Sequence, residues 1–214
     1  MRRTIIGTIF ATLTALCHAQ APLEGFIEVT TLDPTIEVDL MYARSDNFTG
    51  EKMYGFHKAY LHPKAAKALA EANSILKALH PGWRLIVYDA TRPMSVQQKM
   101  WNKVKGTAQQ NYVSNPRNGG GLHNYGLAVD VSIVDENGDS IPMGTKVDAL
   151  THMSHIDNEE ELVEQGKMSQ EALENRRLLR RAMRKAGFLT IRTEWWHFNI
   201  TTRSDAKANY KAVE

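Results

Sequence analysis

The stretch His123-Asn124-Tyr125-Gly126-Leu127-Ala128-Val129-Asp130-Val131-Ser132-Ile133-Val134, followed by Asp135-Glu136-Asn137-Gly138-Asp139 and Ser140-Ile141-Pro142-Met143, decides how the chain folds. From about Gly126 to Val134 the residues are apolar and β-branched enough for a strand. Asn137-Gly138 is the commonest chemistry for a tight hairpin turn, so Ser140 to Met143 is expected to return antiparallel to that strand. Asp130 lies inside the apolar run, seven residues after His123. A carboxylate among Ala128, Val129, Val131 and Ile133 is costly to bury unless a positive charge lies beside it, and a metal would supply one. The alternative is that Asp130 shares a solvent-facing side of the strand with Ala128 and Ser132.

Toward the N-terminus, Trp83 to Tyr88 reads as a second strand, whose end delivers Asp89-Ala90-Thr91-Arg92-Pro93 into a turn. Ser95 is placed to cap a helix running to about Val104. Before that strand, Pro63 opens a helix with Ala65, Leu69, Ala72, Leu76 and Leu79 on one face, and Pro81-Gly82 closes it. Residues 20–60 read as an irregular arm with one alternating segment, Ile36 to Leu40. Toward the C-terminus, Ser169 is expected to cap a long helix ending near Gly187, followed by strands at Phe188 to Arg192 and Trp196 to Ile200. Helices and hairpins mixed without regular strand-helix alternation predict an α+β fold with a mainly antiparallel sheet.

Of the 214 residues, 43% are hydrophobic and 23% charged, which suits one globular domain over residues 20–214. Met1-Arg2-Arg3 and the short apolar run after it form an export signal pattern, with Cys17-His18-Ala19 before Gln20 as the cleavage region, so residues 1–19 are expected to be removed. The protein is then expected to be exported, to the periplasm, with no stable membrane insertion after cleavage. Cys17 leaves a lipoprotein as the minor alternative, since Leu16 stands where a lipid-anchor signal expects a small residue. It is the only cysteine, so the mature chain could make no disulfide and any metal must use His, Asp or Glu. Loss of Arg2 and Arg3 brings 26 basic against 24 acidic residues to 24 against 24, and a neutral chain gives no support to nucleic-acid binding. The basic run Arg176, Arg177, Arg180, Arg181, Arg184 and Lys185 reads as the solvated face of an amphipathic helix.

Glu194-Trp195-Trp196-His197 adds a second imidazole and a second carboxylate. Two histidines and one carboxylate leave the fourth position of a tetrahedral zinc free for water, with the spare carboxylate as general base. Residues three apart on a regular strand face opposite ways, so Glu194 and His197 converge only if a bulge or strand end intervenes. Arg92 is positioned either to stabilise a developing oxyanion or to form an ordinary ion pair with Asp89. His152, His155, His57, His62 and His80 are weaker metal candidates. His-Glu-x-x-His, Gly-x-Ser-x-Gly and phosphate-loop motifs are absent.

Taken together, these motifs resemble the D-Ala-D-Ala dipeptidases of the VanX type, within the superfamily of lysostaphin-type, D-Ala-D-Ala and hedgehog-like zinc domains. The likeness spans roughly residues 36–200. It includes Tyr42-Ala43-Arg44-Ser45-Asp46-Asn47-Phe48-Thr49-Gly50, Asp89 to Pro93, His123 to Asp130, Pro142-Met143-Gly144-Thr145, Asn175-Arg176-Arg177-Leu178-Leu179 and Glu194 to His197. The resemblance implies a central, mainly antiparallel sheet flanked by helices with the zinc site on the sheet: one zinc ion on His123, Asp130 and His197, proton transfer by Glu194 and transition-state stabilisation by Arg92. It also implies a small dipeptide substrate, D-Ala-D-Ala, met by Tyr42, Asn47, Asp148 and Trp195. Gly121-Leu122 departs from the pattern, standing where the VanX type carries serines that help hold the substrate. A D,D-carboxypeptidase trimming peptidoglycan stems and a non-catalytic zinc module are the alternative functions.

Overall fold

A computed structural model describes residues 23–214, so the expected signal segment 1–19, with Cys17, lies outside the described residues. The apolar run seen in the sequence becomes the middle strand of a five-stranded sheet. In chain order the elements are β1 (Ile27–Glu28), α1 (Val29–Leu32), β2 (Glu37–Val38), β3 (Tyr60–Leu61), α2 (Pro63–Leu79), β4 (Arg84–Asp89) and α3 (Met94–Val104). They continue with β5 (Ala128–Val134), α4 (Glu159–Glu164), α5 (Gln170–Lys185), β6 (Leu189–Thr190), β7 (His197–Asn199) and α6 (Arg203–Asn209). The main sheet has the order β2-β4-β5-β7-β6, and β1 pairs with β3 apart from it. Among the described residues, no helix is long and apolar enough to cross a membrane.

This is an α+β fold, but the expected mainly antiparallel sheet is corrected to a mixed one. β4, β5, β7 and β6 pair antiparallel in turn, whereas β2 joins β4 in parallel. The cause is the connection: residues 39–83 carry β3 and α2, long enough to return the chain to the same end of the sheet. A second correction concerns the hairpin, which shrinks to one bridge between Val134 and Ser140, with the amide of Ile141 donating to the Ile133 carbonyl at 3.2 Å. Pro142 has no amide hydrogen with which to extend the pairing. The turn itself is held by Asp135, whose Oδ1 accepts from the amides of Asn137 and Asp139, both at 2.9 Å.

All seven residues of β5 are buried, so the wet face allowed for Asp130 does not exist. Helix α2 packs against α5 and β4 through small residues, Ala65, Ala68 and Ala72, together with Leu69 and Leu76; Leu79 is exposed rather than in the stripe. Asn73, fully buried on α2, donates to Asp33 and Thr35 of the arm and accepts from the Leu85 amide at 2.8 Å. One satisfied amide therefore ties the arm, α2 and β4 together. Ser169 caps α5, accepting from the Ala172 amide at 3.1 Å. Ser95 does not cap α3: Pro93 occupies the cap position and the helix starts at Met94.

The basic face of α5 also needs correction, because Arg176 is buried. Its Nε donates to the Met143 carbonyl at 2.7 Å, its Nη2 to the Met153 carbonyl at 3.1 Å, and the guanidinium lies 5.5 Å from the Trp195 ring centre. Buried Glu159 faces it at 3.6 Å and receives a two-pronged bond from Arg180. Arg180 is thereby half-buried too, and only Arg177, Arg181, Arg184 and Lys185 keep the solvated character expected of the run.

Candidate metal centre

The sheet register sets up the site. Asp130 on β5 lies opposite His197 on β7, and a bulge in β4 places Asp89 opposite Asp130 on the other side. Two residues of β4 pass for one of β5 between Val87 and Asp89, so Tyr88 is the extra residue that brings Asp89 into this row. His123 comes from a 3₁₀ turn, Leu122–Tyr125, just before β5. That turn ends at Gly126, with φ +63°, where a Cβ would come within 2.4 Å of the Phe26 ring and 2.8 Å of Thr91 Oγ1. Only glycine fits both the left-handed backbone and the space.

Three donor atoms converge. His197 Nδ1 lies 2.9 Å from Asp130 Oδ1, His123 Nε2 lies 3.3 Å from the same oxygen, and the two ring nitrogens are 3.1 Å apart. The outward nitrogens determine what the inward ones present. His123 Nδ1 donates to the Ala90 carbonyl at 2.7 Å, and His197 Nε2 donates to Asn199 Oδ1 at 2.8 Å. A carbonyl oxygen can only accept, so the neutral rings turn bare lone pairs toward Asp130. Two lone pairs and a carboxylate oxygen this close repel one another unless a cation sits among them. A proton can take the cation's place: burial opposes charging His123, yet the Asp130 and Asp89 carboxylates together outweigh it and raise its pKa. Burial likewise pushes Asp130 upward, but His123 and His197 hold it well below the usual carboxylate range. The donor set fits a borderline metal such as zinc, and the two outer hydrogen bonds are the supports that orient metal-binding histidines. It is the one such group among the described residues.

Glu194 reaches the same place because the chain turns at Trp195-Trp196 and β7 begins only at His197. The strand end supplies the bend that a regular strand lacks, and Glu194 Oε2 lies 3.9 Å from His197 Nδ1. Burial pushes the Glu194 carboxyl up to about 7. Arg92 is buried as well, and both readings offered by the sequence meet in it. Its Nε and Nη2 donate to Asp89 Oδ2 at 3.1 and 2.5 Å, its Nη1 donates to Gln97 at 3.0 Å, and it still lines the cavity beside the cluster. Asp89 also accepts from the Tyr54 hydroxyl at 2.6 Å.

The remaining predicted residues divide. Tyr42 and Asp148 line the cavity and bond to each other, hydroxyl to Oδ1, at 2.8 Å. Asp148 holds φ +67°, a left-handed conformation that Asp tolerates better than most residues, and burial raises its carboxyl to about 6. Asn47 instead turns its amide into its own loop, donating to the Arg44 and Glu51 carbonyls at 2.7 and 3.0 Å. Trp195 points away: its indole donates to Thr145 at 2.8 Å, and Trp196, not Trp195, lines the cavity. His155 is engaged by the Tyr112 hydroxyl at 3.1 Å, away from the cluster.

Asn199 and Asn124 were missed by sequence reasoning. Asn199 follows His197 by two on a strand, so it shares its face, and that spacing was a usable signal. Asn124 bridges the Arg92 carbonyl and the Gly121 amide, both at 2.8 Å, which no spacing announces. The Ala90 carbonyl left no signal, since it is backbone.

Over residues 23–213 the chain matches the peptidase M15 family, described as D-ala-D-ala dipeptidase. It is 32% identical over 174 residues to the D-alanyl-D-alanine dipeptidase of Escherichia coli, covering 81% of this chain and 83% of that protein. The D-alanyl-D-alanine dipeptidases of Enterococcus faecalis and Streptomyces coelicolor are 26% and 27% identical, each over 82% of this chain and 91% of their own length. With a match over nearly all the described residues, this chain belongs to the D-Ala-D-Ala dipeptidase family of M15 metallopeptidases.

Proposed function

We propose that the protein hydrolyses D-alanyl-D-alanine to D-alanine with one zinc ion held by His123, Asp130 and His197. The observation that carries this reading is the convergence of three donor atoms, all within 4.8 Å of one another, with a further buried carboxylate 3.9 Å from one of them. When bound, zinc supplies a Lewis acid and lowers the pKa of water. Glu194, with a carboxyl near neutrality, is suited both to take a proton from the attacking water and to return it to the leaving amine. Arg92, fixed by Asp89, brings positive charge to the oxygen that becomes negative. Asp148 and Tyr42 offer a carboxylate and a hydroxyl to the amino end of the dipeptide.

The cavity is about 190 Å³, below the ~300–1,000 Å³ of pockets for drug-sized ligands. That size favours a free dipeptide over a peptidoglycan stem. The signal pattern of residues 1–19 supports action outside the cytosol, in the periplasm, on dipeptides released from the wall. Glu194→Gln keeps the shape of the side chain and removes its proton-accepting oxygen. It should lower kcat by about 10²–10⁴ while zinc content, measured by elemental analysis, stays at one per chain. Undiminished turnover in that variant would exclude Glu194 as the proton carrier.

A further inference from the structure

The metal cluster and Glu194 leave one charged group on the cavity wall unused. Two guanidiniums line this cavity, Arg92 and Arg203. Arg92 already spends three of its five N–H groups, two on Asp89 and one on Gln97, and its positive charge is assigned to the developing oxyanion. Arg203, the first residue of α6, makes no ion pair among the described residues. Only its Nη2 is used, donating to the Gly120 carbonyl at 2.7 Å and the Asn118 carbonyl at 3.4 Å. The nearest acid in sequence, Asp205, is taken up by the Thr201 hydroxyl at 2.6 Å and the Asn209 amide at 2.7 Å.

The wall on which Arg203 rests is tied to the site by hydrogen bonds. Gly120 and Gly121 run directly into the turn that carries His123, and the Gly121 amide donates to Asn124 Oδ1 at 2.8 Å. Gly120 has φ +66°, and a Cβ there would lie 2.2 Å from that same oxygen, so the close approach needs glycine. Asn124 in turn holds the Arg92 carbonyl. The Arg203 side chain, itself exposed, is thereby hung through Nη2 on the backbone that leads into His123, with its other edge left open.

A dipeptide is a zwitterion. Its ammonium has Asp148 on this wall, and its carboxylate needs an uncommitted cation. We propose that Arg203 receives the free C-terminal carboxylate of the substrate through Nε and Nη1, which have no protein partner among the described residues. A guanidinium fork matches a carboxylate in two parallel bonds, a geometry that an uncharged C-terminal amide cannot reproduce. Arg203 is in this way a specificity residue, selecting peptides whose scissile bond lies one residue from a free C-terminus. The inference rests on the dipeptidase reading above.

The test measures kcat and KM of the zinc-loaded full chain on D-Ala-D-Ala and on D-Ala-D-Ala amide, for the wild type, Arg203→Gln and Arg203→Lys. In the wild type, kcat/KM should favour the acid by tenfold or more. Arg203→Gln should lose that preference through a raised KM for the acid, with kcat and the amide values little changed. Should Arg203→Gln fail to fold, Arg203→Lys decides: a KM raised for the acid alone supports the anchor, and equal effects on acid and amide overturn it. An acid preference that survives in folded Arg203→Gln also overturns it. Wild-type protein that releases D-alanine from neither substrate fails the dipeptidase reading itself and takes the anchor with it.

Discussion

Arg92 and Arg176 are both buried guanidiniums, 9% and 1% exposed, and they serve different ends. Burial lowers the pKa of each in principle, but around Arg92 the Asp89 carboxylate together with Tyr54, Tyr42 and Asp130 outweighs it and the pKa is raised well above normal. Arg176 has mainly neutral carbonyls for partners and shares Glu159 with Arg180, so burial prevails and its pKa falls to about 10. Arg92 lines the cavity that holds the cluster, whereas Arg176 locks the segment around Met143 and Met153 onto α5. Burial of a charge therefore does not by itself mark function; what separates the two is the company each keeps.

Exchanging the two arginines for uncharged or shorter side chains turns that contrast into numbers. Arg176→Met should cost about 3–5 kcal/mol of stability in denaturant unfolding, because two buried carbonyls lose their donor and Glu159 loses one of its cations. The folded fraction should keep its kcat, and a fall in kcat would erase the distinction. Arg92→Lys should behave in the opposite way. The charge opposite Asp89 is retained, so stability changes less, while kcat falls by about 10²–10³ as the fixed fork is lost. Unchanged kcat there would make Arg92 another structural strut. The smallest effect belongs to the support behind the cluster: Asn199→Ala should weaken zinc binding by about 10–100-fold in competition with a chelator, since His197 loses the partner that fixes its tautomer. Equal affinity would show that the ring is held by packing alone.

Much of this site was legible in the sequence because its residues are chemically conspicuous against their setting. Asp130 stood out in an apolar strand, and Glu194 and His197 stood out in an aromatic tetrapeptide. Their convergence was not legible, since it depends on a strand beginning at His197 and on a bulge at Tyr88, both properties of pairing between distant segments. The same limit explains the sheet. Local alternation marked Ile36 to Leu40 as extended, but its parallel pairing with β4 follows from the long crossover between them. Arg176 was misread because helical periodicity assigns a face without knowing what packs on it; the loop after Met143 and Trp195 cover part of the polar side. Trp195 and Trp196 show the resolution limit of such reading, since adjacent aromatics in one turn diverge and only Trp196 reaches the cavity.

The central claim is that the His123, Asp130 and His197 cluster holds a zinc ion on which dipeptide hydrolysis depends. The direct measurement is D-alanine release from D-Ala-D-Ala by the purified protein, before chelation, after it, and after zinc is restored. The account predicts release that disappears with the metal and returns with one equivalent of zinc per chain. Release that persists in fully demetallated protein, or none from folded protein carrying zinc, would contradict it.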